Sequence, residues 1–172
     1  MSTIEALIQE LEQEAKTTRR VLERVPADRL TWKPHQKSMS LGQLALHIAR
    51  TPGGVSDAVR QLRYQPQFAE PIPDSTAEIL STLEAGVAKA KDNLRQIGDG
   101  GLAETWHIVE GEQEIVSMPV GVALRTVMLN HWYHHRGQLT VYLRELNVPL
   151  PSIYGPSADE NPFAKRPTAA TA

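Results

Sequence analysis

His131 and His135 stand four residues apart in the run Asn130-His131-Trp132-Tyr133-His134-His135-Arg136-Gly137-Gln138-Leu139. On a helix, residues i and i+4 are surface neighbours with Cβ atoms about 5–6 Å apart, so two imidazoles there can grip one ion. Both also fall on the stripe Val120, Leu124, Val127, His131, His135, Gln138 and Tyr142. Each imidazole on an apolar stripe brings a polar N–H that needs a partner, and a metal satisfies both rings at once. The plainer alternative is a pair of core histidines bonded to backbone or water. A third ligand has to come from another helix. His47 follows Leu44 by three and precedes Ile48, which places it at the border of an inward face and completes a set with His131 and His135.

The other polar residues nearby have weaker roles. His134 lies about 100° around the helix from His135 and cannot easily join the same ion. It is read as a residue behind the ligands or at the surface. Gln138, one turn past His135, can bond a ligand imidazole or line a substrate pocket. Arg136 suits a helix-fixing ion pair, and Gly137 would let another helix come close. Tyr133 points away from His131. His35 and His107 have no helix to aim them. The pattern lacks the Glu after the first His that a zinc protease needs as base, since Trp132 stands there. It also lacks the paired Glu-x-x-His helices of a di-iron bundle. Three neutral imidazoles suit one divalent transition metal per chain (Zn, Ni, Fe or Co), with a position left for water or substrate.

Four segments have the periodicity of helices that could carry these groups, and three open on a capping-box pattern. Ser2-Thr3-Ile4-Glu5 starts the first, with the stripe Ile4, Leu7, Ile8, Leu11, Ala15, Thr18, Leu22 and Val25, ended by Pro26. Ser40-Leu41-Gly42-Gln43 starts the second, where Pro52-Gly53-Gly54 implies a kink or an early stop, with weak continuation to about Arg63. A proline-rich connection spans residues 65 to 74. Ser75-Thr76-Ala77-Glu78 starts the third, stopped by Gly98, Gly100 and Gly101. Residues 102 to 118 are too long for a tight turn and suggest a small hairpin around Glu110-Gly111. Pro119 opens the fourth helix, to about Leu146. The expected fold is all-α: a four-helix bundle with at least one crossover connection and a small β-hairpin between the third and fourth helices. Residues 1–163 form the domain, with Leu150, Ile153, Tyr154 and Phe163 packing on the bundle. Residues 164–172 read as a loose tail.

The 172 residues carry a formal net charge of -2, and the 18 Lys and Arg are scattered, so nothing marks a nucleic-acid footprint. Cysteine is absent, which excludes disulfides and a cysteine nucleophile. No stretch approaches the ~20 apolar residues of a membrane span, and Met1-Ser2-Thr3-Ile4-Glu5 lacks the features of a signal peptide. The expectation is a cytoplasmic protein without nucleic-acid or membrane partners.

Trp32-Lys33-Pro34, then Ser40-Leu41-Gly42-Gln43-Leu44 leading to His47, and above all His131 through Leu139 resemble the DinB family of bacterial stress-associated proteins. The ending Pro149-Leu150-Pro151-Ser152-Ile153-Tyr154-Gly155 adds to the likeness. The resemblance implies a four-helix bundle, often a homodimer, with metal on His47, His131 and His135. It also implies kinship with enzymes that use small thiols such as mycothiol, bacillithiol or glutathione. The leading expectation is a metal-dependent enzyme of thiol S-transferase or hydrolase type acting on a small molecule. Its rival is a non-catalytic stress-associated metalloprotein whose ion is structural or sensory.

Overall fold

The computed structural model describes residues 1–67 and 71–164. Helix α1 spans Thr3–Leu22, α2 Leu41–Arg60 and α3 Thr76–Gly101. The fourth helix, α4, is continuous but of mixed pitch. It comprises Val120–Ala123, a π-helical stretch Leu124–Asn130, and an α-helical half His131–Glu145. A 3-10 turn, Ala27–Arg29, lies between α1 and α2.

The helices begin where the serines place them, and one of the three expected capping boxes is complete. At Ser40 the side chain accepts from the Gln43 amide while Gln43 reaches back to the Ser40 amide (3.2 and 2.9 Å). Ser2 and Ser75 each accept from the N3 amide. Glu78 instead accepts from the Asp74 amide, and the first turn of α1 is capped from a distance by Asp99, which accepts from Thr3 and Ile4.

Both α1 and α2 pack against α3 and α4. The core between them includes Leu11, Leu22, Leu44, Ile48, Leu94, Leu124 and Trp132, all fully buried. The tight crossing is between α2 and α3, where a Cβ on Gly53 would lie 2.9 Å from the Cα of Gly86. Pro52 neither stops α2 nor ends it early. Leu62 does so in its place: at φ 57 it turns the chain into the left-handed region, so the helix does not reach Arg63.

That turn creates the feature that corrects the all-α expectation. Strand β1, Arg63–Tyr64, runs parallel to β2, Thr105–Glu110, which pairs antiparallel with β3, Gln113–Pro119. The fold is therefore four helices plus a three-stranded mixed sheet in the order β1-β2-β3. The hairpin is the expected one, turning at Gly111 with φ 58. Strand β1 was not legible because two residues cannot display a period of two. The sheet is tied to α2 by the Trp106 indole, which donates to the Ala58 carbonyl at 2.9 Å, and by the His107 amide, which donates to Leu62 O at 2.7 Å.

After α4, Leu150 and Ile153 pack on the core as expected, whereas the Tyr154 and Phe163 side chains are exposed. Part of the 65–74 connection and the expected tail beyond Ala164 lie outside the described residues. No helix among the described residues is long and apolar enough to cross a membrane.

Candidate metal centre

His47 comes from α2, and His131 and His135 from successive turns of α4. One ring nitrogen from each lies within 4.8 Å of those of the other two. The Nε2 atoms of His47 and His131 are 2.9 Å apart. The ring centroids of His47 and His135 are 4.6 Å apart, and those of His131 and His135 4.3 Å. Bonds of about 2.0–2.1 Å from a tetrahedral ion would set nitrogens about 3.3 Å apart, so small ring adjustments suffice.

The chemistry of these donors fits a cation. The Nδ1–H of His135 donates to Oε1 of Gln138 at 2.8 Å. That bond makes Nε2 the ring's lone-pair nitrogen, in the usual arrangement behind a metal-binding imidazole. Burial, and then the neighbouring imidazoles of His135, His47 and His134, push His131 down to about 4, so it is a neutral donor at physiological pH.

The ligand helix is phased differently from the sequence expectation. The buried residues of its α-helical half are Trp132, Arg136, Leu139, Tyr142 and Leu143, whereas His131 and His135 are half-buried. The π-helical stretch consumes an extra residue in its wide turns and rotates the following half by about one residue step, or about 100°. Trp132 and Arg136 consequently face the core, and the histidines sit at its border.

The junction of the two ligand helices follows from Pro52. A proline in a helix interior has no N–H for the carbonyl four residues back, here Ile48 O. The buried Trp132 indole donates to that carbonyl at 2.9 Å. The bond joins the residue after His47 to the residue after His131. Trp132→Phe should lower stability by about 1–3 kcal/mol, the cost of a buried unsatisfied carbonyl. Adding Pro52→Ala should restore part of the loss, since an alanine supplies the missing N–H. Denaturant titration of the single and double variants checks this, and a double variant no more stable than Trp132→Phe would refute it.

His134 is exposed, with its ring 4.9 Å edgewise from that of His135, outside the three-residue cluster. His35 is an exposed loop residue accepting from the Lys37 amide, and His107 pairs with Glu114 on the hairpin. The Tyr133 hydroxyl donates to Glu10, and burial together with that carboxylate raises its pKa, so it is no ready acid. Gly137 is exposed with open space where a Cβ would go, so the expected close helix approach is absent there and occurs at Gly53 and Gly86.

Beside the histidines lies a pocket of ≈ 410 Å³. His47 and His131 form one side, Val55 and Val127 come from the two helices, and Tyr64 and Trp106 come from the sheet. The sequence reading missed these wall residues. A tryptophan and a tyrosine flanking predicted loops were the available signal, but β1 was needed to bring them together.

The family model of the DinB family matches residues 1–165. The chain belongs to the DinB family. The uncharacterized protein YrdA of Bacillus subtilis strain 168 is 28% identical over 159 residues, covering 92% of each chain. A solved DinB-like protein from Bacillus cereus ATCC 10987 has a TM-score of 0.71 at 25% identity, over 89% of this chain and 99% of that one. The DinB-like protein YjoA of Bacillus subtilis has a TM-score of 0.65 at 19% identity, over 86% and 96% of the two chains. DinB membership and the three-histidine cluster together fit a metal-binding protein of this family.

Proposed function

We propose that this DinB chain is a metal-dependent enzyme that holds one divalent transition metal on His47, His131 and His135 and directs water or a small thiol at an electrophilic substrate. The observation that carries the reading is the meeting of three imidazoles at the wall of a pocket large enough for a small molecule. An ion serving stability alone needs no cavity beside it, so the pocket favours catalysis over the structural alternative. The donor set suits Zn, Ni, Fe or Co. When bound, such an ion supplies Lewis acidity that makes water or a thiol a competent nucleophile near neutral pH.

The chain's own residues have separable roles. Gln138 fixes the tautomer of His135, the Trp132–Ile48 bond holds the two ligand helices in register, and the apolar wall keeps water from a bound substrate. With no cysteine in the sequence, a sulfur nucleophile has to be brought in as a small thiol.

The test uses Co-substituted protein titrated with cysteine, glutathione and bacillithiol. A thiolate is a softer ligand than water, so the absorption spectrum should shift. Affinity should rise as pH approaches the thiol's pKa, because the deprotonated form binds. A spectrum indifferent to millimolar amounts of all three removes the thiol reading and leaves water as the nucleophile.

A further inference from the structure

The pocket beside the histidines has a charge that the metal reading leaves unused. Arg50 lies one turn along α2 from His47, so the two Cβ atoms are about 5–6 Å apart on one helix face. Arg50 lines the same pocket, is exposed, and makes no ion pair or hydrogen bond among the described residues. Among the described lining residues there is no carboxylate, and of these residues Arg50 is the one with a permanent formal charge.

Apart from Thr51, Gln67 and the two histidines, the rest of the wall is mostly apolar. Val55 and Val127 face the cavity from the helices, and Tyr64, Trp106 and Ile108 from the sheet. The Tyr64 ring lies over the buried Trp106 ring (centroids 6.3 Å apart, 21° between planes), so Tyr64, backed by Trp106, gives that wall its aromatic face. A guanidinium at one edge matches a carboxylate, which it can hold by two parallel hydrogen bonds. A body with further charges would leave them unpaired against apolar side chains, at considerable cost. The volume of ≈ 410 Å³ stands near the lower end of small-molecule sites, about 300–1,000 Å³.

We propose that this pocket selects a small monocarboxylate with an apolar, ring-sized body. The carboxylate sits on Arg50, the body lies against Val127 and the Tyr64–Trp106 wall, and the far group is presented to the histidines. The fate of that group rests on the metal-enzyme reading above; recognition by Arg50 and the wall does not.

The probes are 3-phenylpropionate and its amide, nearly the same in shape and different in charge. Each is titrated into zinc-loaded and chelator-stripped protein by calorimetry, with the Trp106 indole N–H followed by NMR. The acid should bind stripped protein, move the Trp106 signal, and bind about tenfold more tightly than the amide, as expected for one charge-assisted contact. Arg50→Gln, a change at an exposed side chain, should abolish the difference. Equal binding of acid and amide, failure of both to bind, or a preference that survives Arg50→Gln overturns the proposal. So does acid binding seen only with zinc present. Zinc affinity measured on the same samples separates the two readings. Selective acid binding without zinc binding removes the metal enzyme and leaves the pocket, and zinc binding without acid selectivity does the reverse.

Discussion

Protein prepared without a histidine tag and loaded with zinc is expected to hold about one ion per chain, and His131→Ala or His135→Ala to hold none tightly. The expected loss exceeds about 100-fold in affinity, because altering only the hydrogen-bond partner of a ligand costs about 10–100-fold. Gln138→Ala, which removes such a partner from His135, should fall within that smaller range. His47→Ala should be nearly as damaging as the two α4 variants, since its Nε2 lies beside that of His131. His35→Ala and His107→Ala should bind zinc as the parent does. Elemental analysis with a competition titration gives both stoichiometry and affinity. If either of those two loop and hairpin variants strips the ion while His47→Ala keeps it, the third donor has been misassigned.

The largest effect on stability is expected at Arg136. Its side chain is 2% exposed and pairs with Glu14, itself 12% exposed, at 2.6 Å. It also donates to Thr18 Oγ1 and to the Tyr154 hydroxyl, which in turn donates to Glu14. The guanidinium lies 5.2 and 5.1 Å from the ring centroids of Tyr133 and Tyr154. Arg136→Met removes the cation from beside the largely buried Glu14 and leaves the Tyr154 hydroxyl donating to it. Breaking a buried pair from one side costs about 3–5 kcal/mol. At about 2–4 °C per kcal/mol for a chain of this size, Tm should fall by roughly 6–20 °C. Replacing both members, Arg136→Met with Glu14→Leu, should recover much of the loss, since an apolar pair of similar volume removes the stranded charge. Thermal melts of the parent, single and double variants decide it. A single variant within about 1 kcal/mol of the parent would show the pair to be no more than a surface contact.

What could be read from the sequence divides along physical lines. Helices α1 and α3 were legible because capping serines and an unbroken three-and-four spacing point the same way, as Ile4, Leu7, Ile8 and Leu11 do. The histidine pair was legible from spacing alone, because i and i+4 meet on the π-shifted helix as on any α-helical half. The facing of that pair was not. A stripe drawn through Val120, Leu124 and His131 at constant pitch assigns the histidines to the core, whereas burial follows Trp132, Arg136 and Leu139. Hydrogen-bond register within a helix leaves no composition signal, so the slip is invisible until the backbone is seen. The early stop allowed for at Pro52 does not occur, for a related reason. The proline's missing donor suggests a break, and the remedy, an indole 84 residues beyond Ile48 in sequence, is a tertiary contact. Strand β1 failed by brevity, and with it the aromatic wall of the pocket.

His47 and His131 are 84 positions apart along the chain. An ion gripped by both can be assembled by the folded state and not by an open chain. Every increment of ion binding is therefore also an increment of folding free energy, about 2.7 kcal/mol when free ion stands at 100 times its Kd. A chelator would remove that increment and no more, lowering stability to that of the metal-free chain. For a metal-loaded chain, stability would accordingly depend on metal activity as well as on temperature, and a melting point would be complete only with both stated.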